Sequence, residues 1–406
     1  MWRHLAAGKS DLALRTAIRF MYSACEPGLF CDAKPGSSSR NLQQLHAVSS
    51  DELGAFRGAR VTTMTSVPYT IGVDLGGTNL RVAAYSKNSG MLEQIQLRTR
   101  LPDGRDAVVR DMCGAIERLI EKNSPGALAG IGIGSPGPIE LPEGRLRHLP
   151  NLPGWDGFEL RATVERILGM PVIVENDANL AALAECLLGK GKSLGTDSLC
   201  MLTLGTGVGN GIILGGKVWD GMNGMAGEAG HATIWPDGHI CGCGSHGCLE
   251  QYASATAVRR MAREAIAGGE APGLAALQKK HAEFTARELA ETARAGDPDA
   301  QKTFEMVGRS LGIGLGALIN TLNLPLYVVG GGVAQAWDLF APNMFEELRH
   351  RSYVYRLTDG QVDAHGHRSA KTHVEPAELG AESGILGACL LPFVVCGDSK
   401  APQAQI

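Results

Sequence analysis

Residues 69–86 read YTIGVDLGGTNLRVAAYS. Apolar residues alternate as far as Leu75, glycines fill a turn, and alternation resumes from Leu80, so the segment is a β-hairpin. A dinucleotide-binding fold opens a helix directly after its glycines, whereas here a second strand follows. The amides of Gly76, Gly77 and Thr78 are then left at an open turn with Asp74 at its entrance. Such a turn can cradle a phosphate, and the carboxylate can meet a divalent cation or its water. An ordinary glycine turn has the same local pattern, so its meaning depends on the rest of the chain.

The pattern recurs. Ser198–Trp219, SLCMLTLGTGVGNGIILGGKVW, is again strand, glycine turn and strand, with Thr206 between Gly205 and Gly207 to offer a hydroxyl to phosphate oxygens. Leu324–Trp337, LPLYVVGGGVAQAW, gives a short buried strand, then Gly330, Gly331 and Gly332, then a helix. Three glycines there let a flat ring lie against backbone. A Walker A loop is missing: its nearest mimic, Gly191–Ser193, has Cys186 where the first glycine belongs.

PVIVENDANLAALAECLLG, Pro171–Gly189, is a buried strand ending at Glu175 and a helix from Ala178, with Asn176 and Asp177 at the junction. Asn and Asp are good helix caps, and a strand end is also where α/β proteins place ligand-binding groups. Asn176 can cap while Asp177 takes the proton of a hydroxyl that attacks a γ-phosphate.

Further on, GMAGEAGHATIW carries Glu228 and His231, and HICGCGSHGCLE follows with Cys241, Cys243 and Cys248. His231 and the three cysteines make a Cys3His set, a common closed zinc combination, and the intervening glycines let the loop fold round one ion. A closed site of this kind shapes a loop and does no chemistry. His239 and His246 read as solvent-facing. The other seven of the ten cysteines are scattered, several in apolar runs, as reduced core thiols are.

Taken together and in order, DLGGTN, END, LGTGVGNG, GEAGH and above all CGCGSHGCLEQYAS resemble the ROK family of bacterial sugar kinases, and within it the ATP-dependent glucokinases. The resemblance runs from about Pro68 to Phe393. It implies an actin-like, hexokinase-like pair of α/β domains closing over a cleft, with a small zinc-bound loop. It further implies that Asp177 is the catalytic base, and that Gly137, Asn151, Asn176, Asp177, Glu228, His231 and Glu250 contact the sugar, His231 sharing its two ring nitrogens between zinc and sugar. Asp74, Gly76, Gly77, Thr78, Gly205, Thr206 and Gly207 would hold the ATP phosphates with Mg2+, and Gly331 with Gly332 would flank adenosine. The implied zinc is structural, on His231, Cys241, Cys243 and Cys248. The implied reaction is transfer to the 6-hydroxyl of glucose. N-acetylglucosamine, N-acetylmannosamine or fructose are the alternative substrates, and a homo-oligomer, dimer or tetramer, is implied. Repressors of the same family carry a helix-turn-helix ahead of the sugar domain, and residues 1–63 show neither two regular helices nor a basic recognition face.

The 406 residues nearly balance in charge, 38 basic against 42 acidic, and no apolar run approaches the ~20 residues of a membrane span. The expectation is a cytoplasmic protein that binds neither nucleic acid nor membrane. Residues 1–66, with the linker-like KPGSSSRN, read as a disordered extension. The expected organisation is 67–189 plus 374–393 as the first domain, 190–373 as the second and 394–406 as a flexible tail. Thr285–Thr321 reads as two helices broken at Gly296–Pro298, and Ala377–Leu391 as the last helix. Gly312, Gly314 and Gly316 allow close approach of either a helix or a nucleotide.

Overall fold

The computed structural model describes residues 67–397 apart from 148, 150, 151, 270 and 361–370. The expected N-terminal extension, Asn151 and residues 398–406 of the expected tail lie outside the described residues.

Tyr69–Leu75 (β1), Asn79–Ser86 (β2) and Gly90–Arg98 (β3) form an antiparallel meander. Helix Arg105–Lys122 (α1) leads to Leu128–Ser135 (β4). A small hairpin, Ile139–Glu140 (β5) with Arg145–Leu146 (β6), and helix Leu160–Leu168 (α2) precede Ile173–Asn176 (β7), helix Asp177–Leu187 (α3) and the short Lys190–Leu194 (α4). The second half repeats the plan with Leu199–Leu204 (β8), Val208–Leu214 (β9) and Lys217–Val218 (β10). Helices Glu250–Ala253 (α5), Ala255–Ala267 (α6), Pro272–Lys280 (α7), Ala286–Arg294 (α8) and Pro298–Leu322 (α9) follow, then Leu326–Gly330 (β11), Trp337–Arg351 (α10), Tyr353–Thr358 (α11), His373–Pro376 (β12) and Ser383–Gly397 (α12).

The two sheets have the same order, β3-β2-β1-β4-β7 and β10-β9-β8-β11-β12. In each, a meander is extended on the far side of its first strand by two parallel strands. Helices α3 and α12 form the layer between the sheets. Leu180, Leu183, Ile385 and Ala388 pack there with Ala83 and Tyr85 of the first sheet and Leu199, Met201 and Val328 of the second. Each fully buried Leu, Ile, Met or Val among them contributes about 1.5–3 kcal/mol through apolar area removed from water. Gly72 and Gly132, in the middle of β1 and β4, admit α12: a Cβ on either would lie 2.5 Å from Cys389 N or 2.2 Å from Ala388 O.

Both expected glycine hairpins form, and so does the break before α9, where Asp297 caps the helix by accepting from Asp299 N and Ala300 N. Gly312 serves helix packing, since a Cβ there would meet Glu347 Cβ of α10 at 2.5 Å. Two expectations at the C-terminus are corrected. The strand His373–Pro376 belongs to the second sheet, where it pairs with β11, so the chain returns to the first half later than residue 374. The last helix begins at Ser383 because Glu378 N and Leu379 N are held by the buried Glu185 carboxylate (2.9 and 2.7 Å) and Gly380 takes a φ of 59°. It then runs through Pro392 to Gly397, into the segment expected as tail. Among the described residues no helix is long and apolar enough to cross a membrane.

Candidate active site

The loops after β1, β4, β7, β8 and β11 all lie at the C-terminal ends of parallel strands, the position at which open α/β sheets bind ligands. At the end of β7, Asn176 caps α3: its side-chain oxygen accepts from Ala178 N at 2.9 Å and Asn179 N at 3.3 Å. Its amide nitrogen donates to Gly137 O at 3.0 Å, which brings together two residues 39 apart in sequence. Gly137 has a φ of 80°, and a Cβ would stand 2.2 Å from Leu149 Cδ2, so only glycine fits that turn.

Asp177 follows as the first residue of α3. Its carboxyl is pushed up to about 7, first by burial, then by the negative charges of Asp74 from the first half and, more weakly, Glu228 from the second, while the amides of Ala178 and Asp177 pull it down. A carboxyl so placed can hold or release a proton at neutral pH. Asp74 itself is paired with Arg81, its cross-strand neighbour on β2, at 2.5 and 3.0 Å.

The first glycine turn closes with Gly76 N donating to Asn79 O at 2.9 Å, leaving Thr78 exposed. In the second, Gly205 N donates to Gly207 O at 2.9 Å, Thr206 is exposed, and Glu250 at the start of α5 accepts from Val208 N at 3.0 Å. A Cβ on Gly207 would lie 2.3 Å from Glu250 Oε2. Gly331, φ 87°, lies against Leu204 at the root of this turn, its Cβ direction 2.6 Å from Leu204 N, and Gly332 opens on free space.

His231, Cys241, Cys243 and Cys248 converge, their ligand atoms all within 4.8 Å of one another. Cys243 Sγ and Cys248 Sγ are 3.7 Å apart, and Cys241 Sγ lies 3.6 Å from His231 Nδ1. Thiolates sharing a tetrahedral zinc at about 2.3 Å stand about 3.8 Å apart, so the cluster has the dimensions of a zinc site and not of a disulfide. The Ser245 N–H holds the Cys243 thiol below its ordinary value, whereas burial and the neighbouring thiols push Cys248 up to about 12; thiols this close can share one cation on losing their protons. With His231 turned toward Cys241 through Nδ1, its other ring nitrogen is free for a ligand.

The residue pattern 70–392 matches the ROK family. The chain belongs to the ROK family. It is 35% identical over 323 residues to a glucokinase of Halalkalibacterium halodurans, covering 78% of this chain and 92% of that one. It is similar to a ROK family glucokinase from Streptomyces griseus solved with glucose and AMPPNP, at 33% identity and a TM-score of 0.63, over 80% of this chain and 98% of that chain. It is also 29% identical over 296 residues to a xylose repressor of Caldicellulosiruptor bescii, covering 72% of this chain and 73% of that one. The ROK fold of these relatives is the one described above.

Sequence reading missed three members of the site's surroundings: Arg81, the buried Glu175 and, in the loop after β10, Asp220. A carboxylate ending the apolar strand PVIVE was the available signal, because a buried acid requires a partner.

Proposed function

We propose that this ROK protein is an ATP-dependent glucokinase, transferring the γ-phosphoryl group of ATP to the 6-hydroxyl of glucose. The observation that carries the reading is Asp177: a carboxyl on a helix N-terminus, pushed up to about 7, between Asp74 of one half and Glu228 of the other. A repressor needs a sugar pocket but no base matched to the pH at which it works.

In this reading Glu228, His231, Glu250, Asn176 and the backbone of Gly137 hold the sugar, and Asn151 is a further candidate contact. They aim the 6-hydroxyl at Asp177, which accepts its proton as the oxygen attacks phosphorus in line. The amides of Gly76, Gly77 and Gly205–Gly207, with the Thr78 and Thr206 hydroxyls, donate to the phosphate oxygens, and Gly331 with Gly332 give adenosine a flat bed. Asp74 would hold Mg2+, which neutralises charge on the transferred group. His231, Cys241, Cys243 and Cys248 would hold zinc, and their work is to fix the loop that presents His231 and Glu250.

The test is a panel of hexoses with Mg·ATP and coupled detection of ADP. Glucose should give the highest kcat/KM. A higher value for N-acetylglucosamine, N-acetylmannosamine or fructose would move the substrate and keep the chemistry, and no turnover with any hexose would remove the kinase reading.

A further inference from the structure

Residues 219–226 leave the second sheet at β10, cross to the first half and return to deliver Glu228. Asp220 organises this strap: its carbonyl accepts from Gly224 N and Ala226 N, both at 3.1 Å. On the far side, Asn223 O accepts from Leu141 N at 3.1 Å, and Gly224 is pressed so close that a Cβ would lie 2.5 Å from Ile139 O. The third attachment is between carboxyls. Glu175, on β7 and only 4% exposed, faces the Asp220 side chain closely enough that each carboxyl shifts the other. One Glu175 oxygen takes Asn176 N at 2.7 Å and Asn179 Nδ2 at 2.9 Å. Asp220 Oδ1 is buried with no N–H or hydroxyl donor among the described residues.

Two abutting carboxylates repel, and a buried oxygen without a donor loses its hydration with nothing in return, so the arrangement requires a proton between them. We propose that Glu175 and Asp220 form a protonated clasp that fastens the 219–226 strap of the second half onto the first and thereby positions Glu228. Glu175 is a positioning residue, and its consequence for sugar binding rests on the reading above, whereas the clasp does not.

Burial and Asp220 push the Glu175 carboxyl up to about 8, while Asp220, raised by its own burial, is drawn down by the hydrogen bond from Glu175; the proton therefore resides on Glu175. β4 sets Gly134 opposite Glu175, α3 contributes Asn179, and among the described residues no Lys, Arg or His pairs with either carboxyl. The nearest charges in sequence are Asp177 and Glu228, both acidic, and Lys217 on β10, three residues before Asp220. Released from the clasp, Glu175 returns to an ordinary 4.5. Because the docked form has the raised value, docking is strongest below 4.5, weakens as pH rises toward about 8 by up to about tenfold per pH unit, and is level beyond.

Trp219, 46% exposed at the root of the strap, reports on docking without any turnover. In the full-length protein its emission, taken as the difference from Trp219→Phe, should shift to the red between pH 6 and pH 9. Glu175→Gln, whose amide donates to Asp220 at every pH, should abolish that shift. Asp220→Asn, which donates the other way, is expected to do the same and serves if the first variant does not fold. In parallel, glucose affinity by calorimetry should fall about threefold or more further over this range in the natural protein than in Glu175→Gln, where Asp177 alone still titrates. A pH-independent Trp219 signal in the natural protein, or the same shift in both variants, overturns the clasp. The expected fluorescence without any glucose binding upholds the clasp and counts against the glucokinase reading instead.

Discussion

The two glycine turns stand at equivalent places in two sheets of identical order, yet they are supported from opposite directions. The first is held within its own sheet: Thr99, just past β3, donates its hydroxyl to Gly76 O at 2.6 Å and its amide to Thr78 O at 2.9 Å. The second is held from the cysteine-loop side. Glu250 takes Val208 N, Ala255 N donates to Gly205 O at 2.8 Å, and the Thr256 hydroxyl donates to Thr206 O at 2.8 Å. Glu250 follows Cys248 by two residues. The cysteine cluster, His231, Glu250 and the second turn are therefore one mechanical unit, while the bonds that hold the first turn come from its own sheet. Repeated topology does not imply repeated coupling.

Asp177, lying between the two turns, gives the largest expected effect and the cleanest control. Asp177→Asn keeps size and helix-start chemistry but removes the proton acceptor, so kcat should fall about 10²-fold or more while nucleotide affinity is retained. With Asp177 as the base, the ionised form is the active one, so kcat should rise as pH climbs through about 7 and then level. Single-turnover rates across pH 5.5–9 check both, and a near-normal rate in the variant would remove the proposed base.

Cys243→Ser tests whether the unit on the second side exists. Serine is a poor zinc ligand, so metal content by elemental analysis, thermal stability and glucose affinity should fall together, the last by about tenfold, as His231 and Glu250 lose their anchor. The first turn is held from its own sheet and should keep its hydrogen-exchange protection, whereas Val208 should lose it. Full zinc with native affinity would refute the metal assignment.

Much of this was legible in the sequence because it rests on local patterns. Two hairpins, the Asn176 cap and the crowding of Cys241, Cys243 and Cys248 follow from alternation, capping chemistry and spacing. What could not be read depends on contacts between distant segments. Nothing local shows that Glu378 and Leu379 would be drawn to the buried Glu185 and delay α12, that His373–Pro376 would pair with β11, or that Asp220 would cross to Glu175. Asp74 and Arg81 are seven apart on paired strands, so their contact needed only the hairpin register. It was missed because the turn drew attention to the carboxylate as a cation ligand alone.

The smallest expected effects compare the turns directly, by adding one methyl group to each. On Gly207 the new carbon would meet Glu250 Oε2 at 2.3 Å, and that carboxylate cannot retreat without surrendering Val208 N. A contact that short cannot be absorbed by small shifts, so Gly207→Ala should raise KM for both glucose and ATP, each by about tenfold, or about 1.4 kcal/mol. On Gly76 the nearest atom is Asn79 O at 3.0 Å, within the turn itself. An adjustment of a few tenths of an ångström relieves it, so Gly76→Ala should raise KM for ATP about two- to threefold and leave KM for glucose unchanged. Steady-state kinetics on the two variants separates the cases by pattern as well as size. If Gly207→Ala disturbed only the nucleotide, Glu250 would not be the link between the sugar side and the second turn. If Gly76→Ala disturbed glucose as well, the separate support of the first turn would not isolate it from the sugar side.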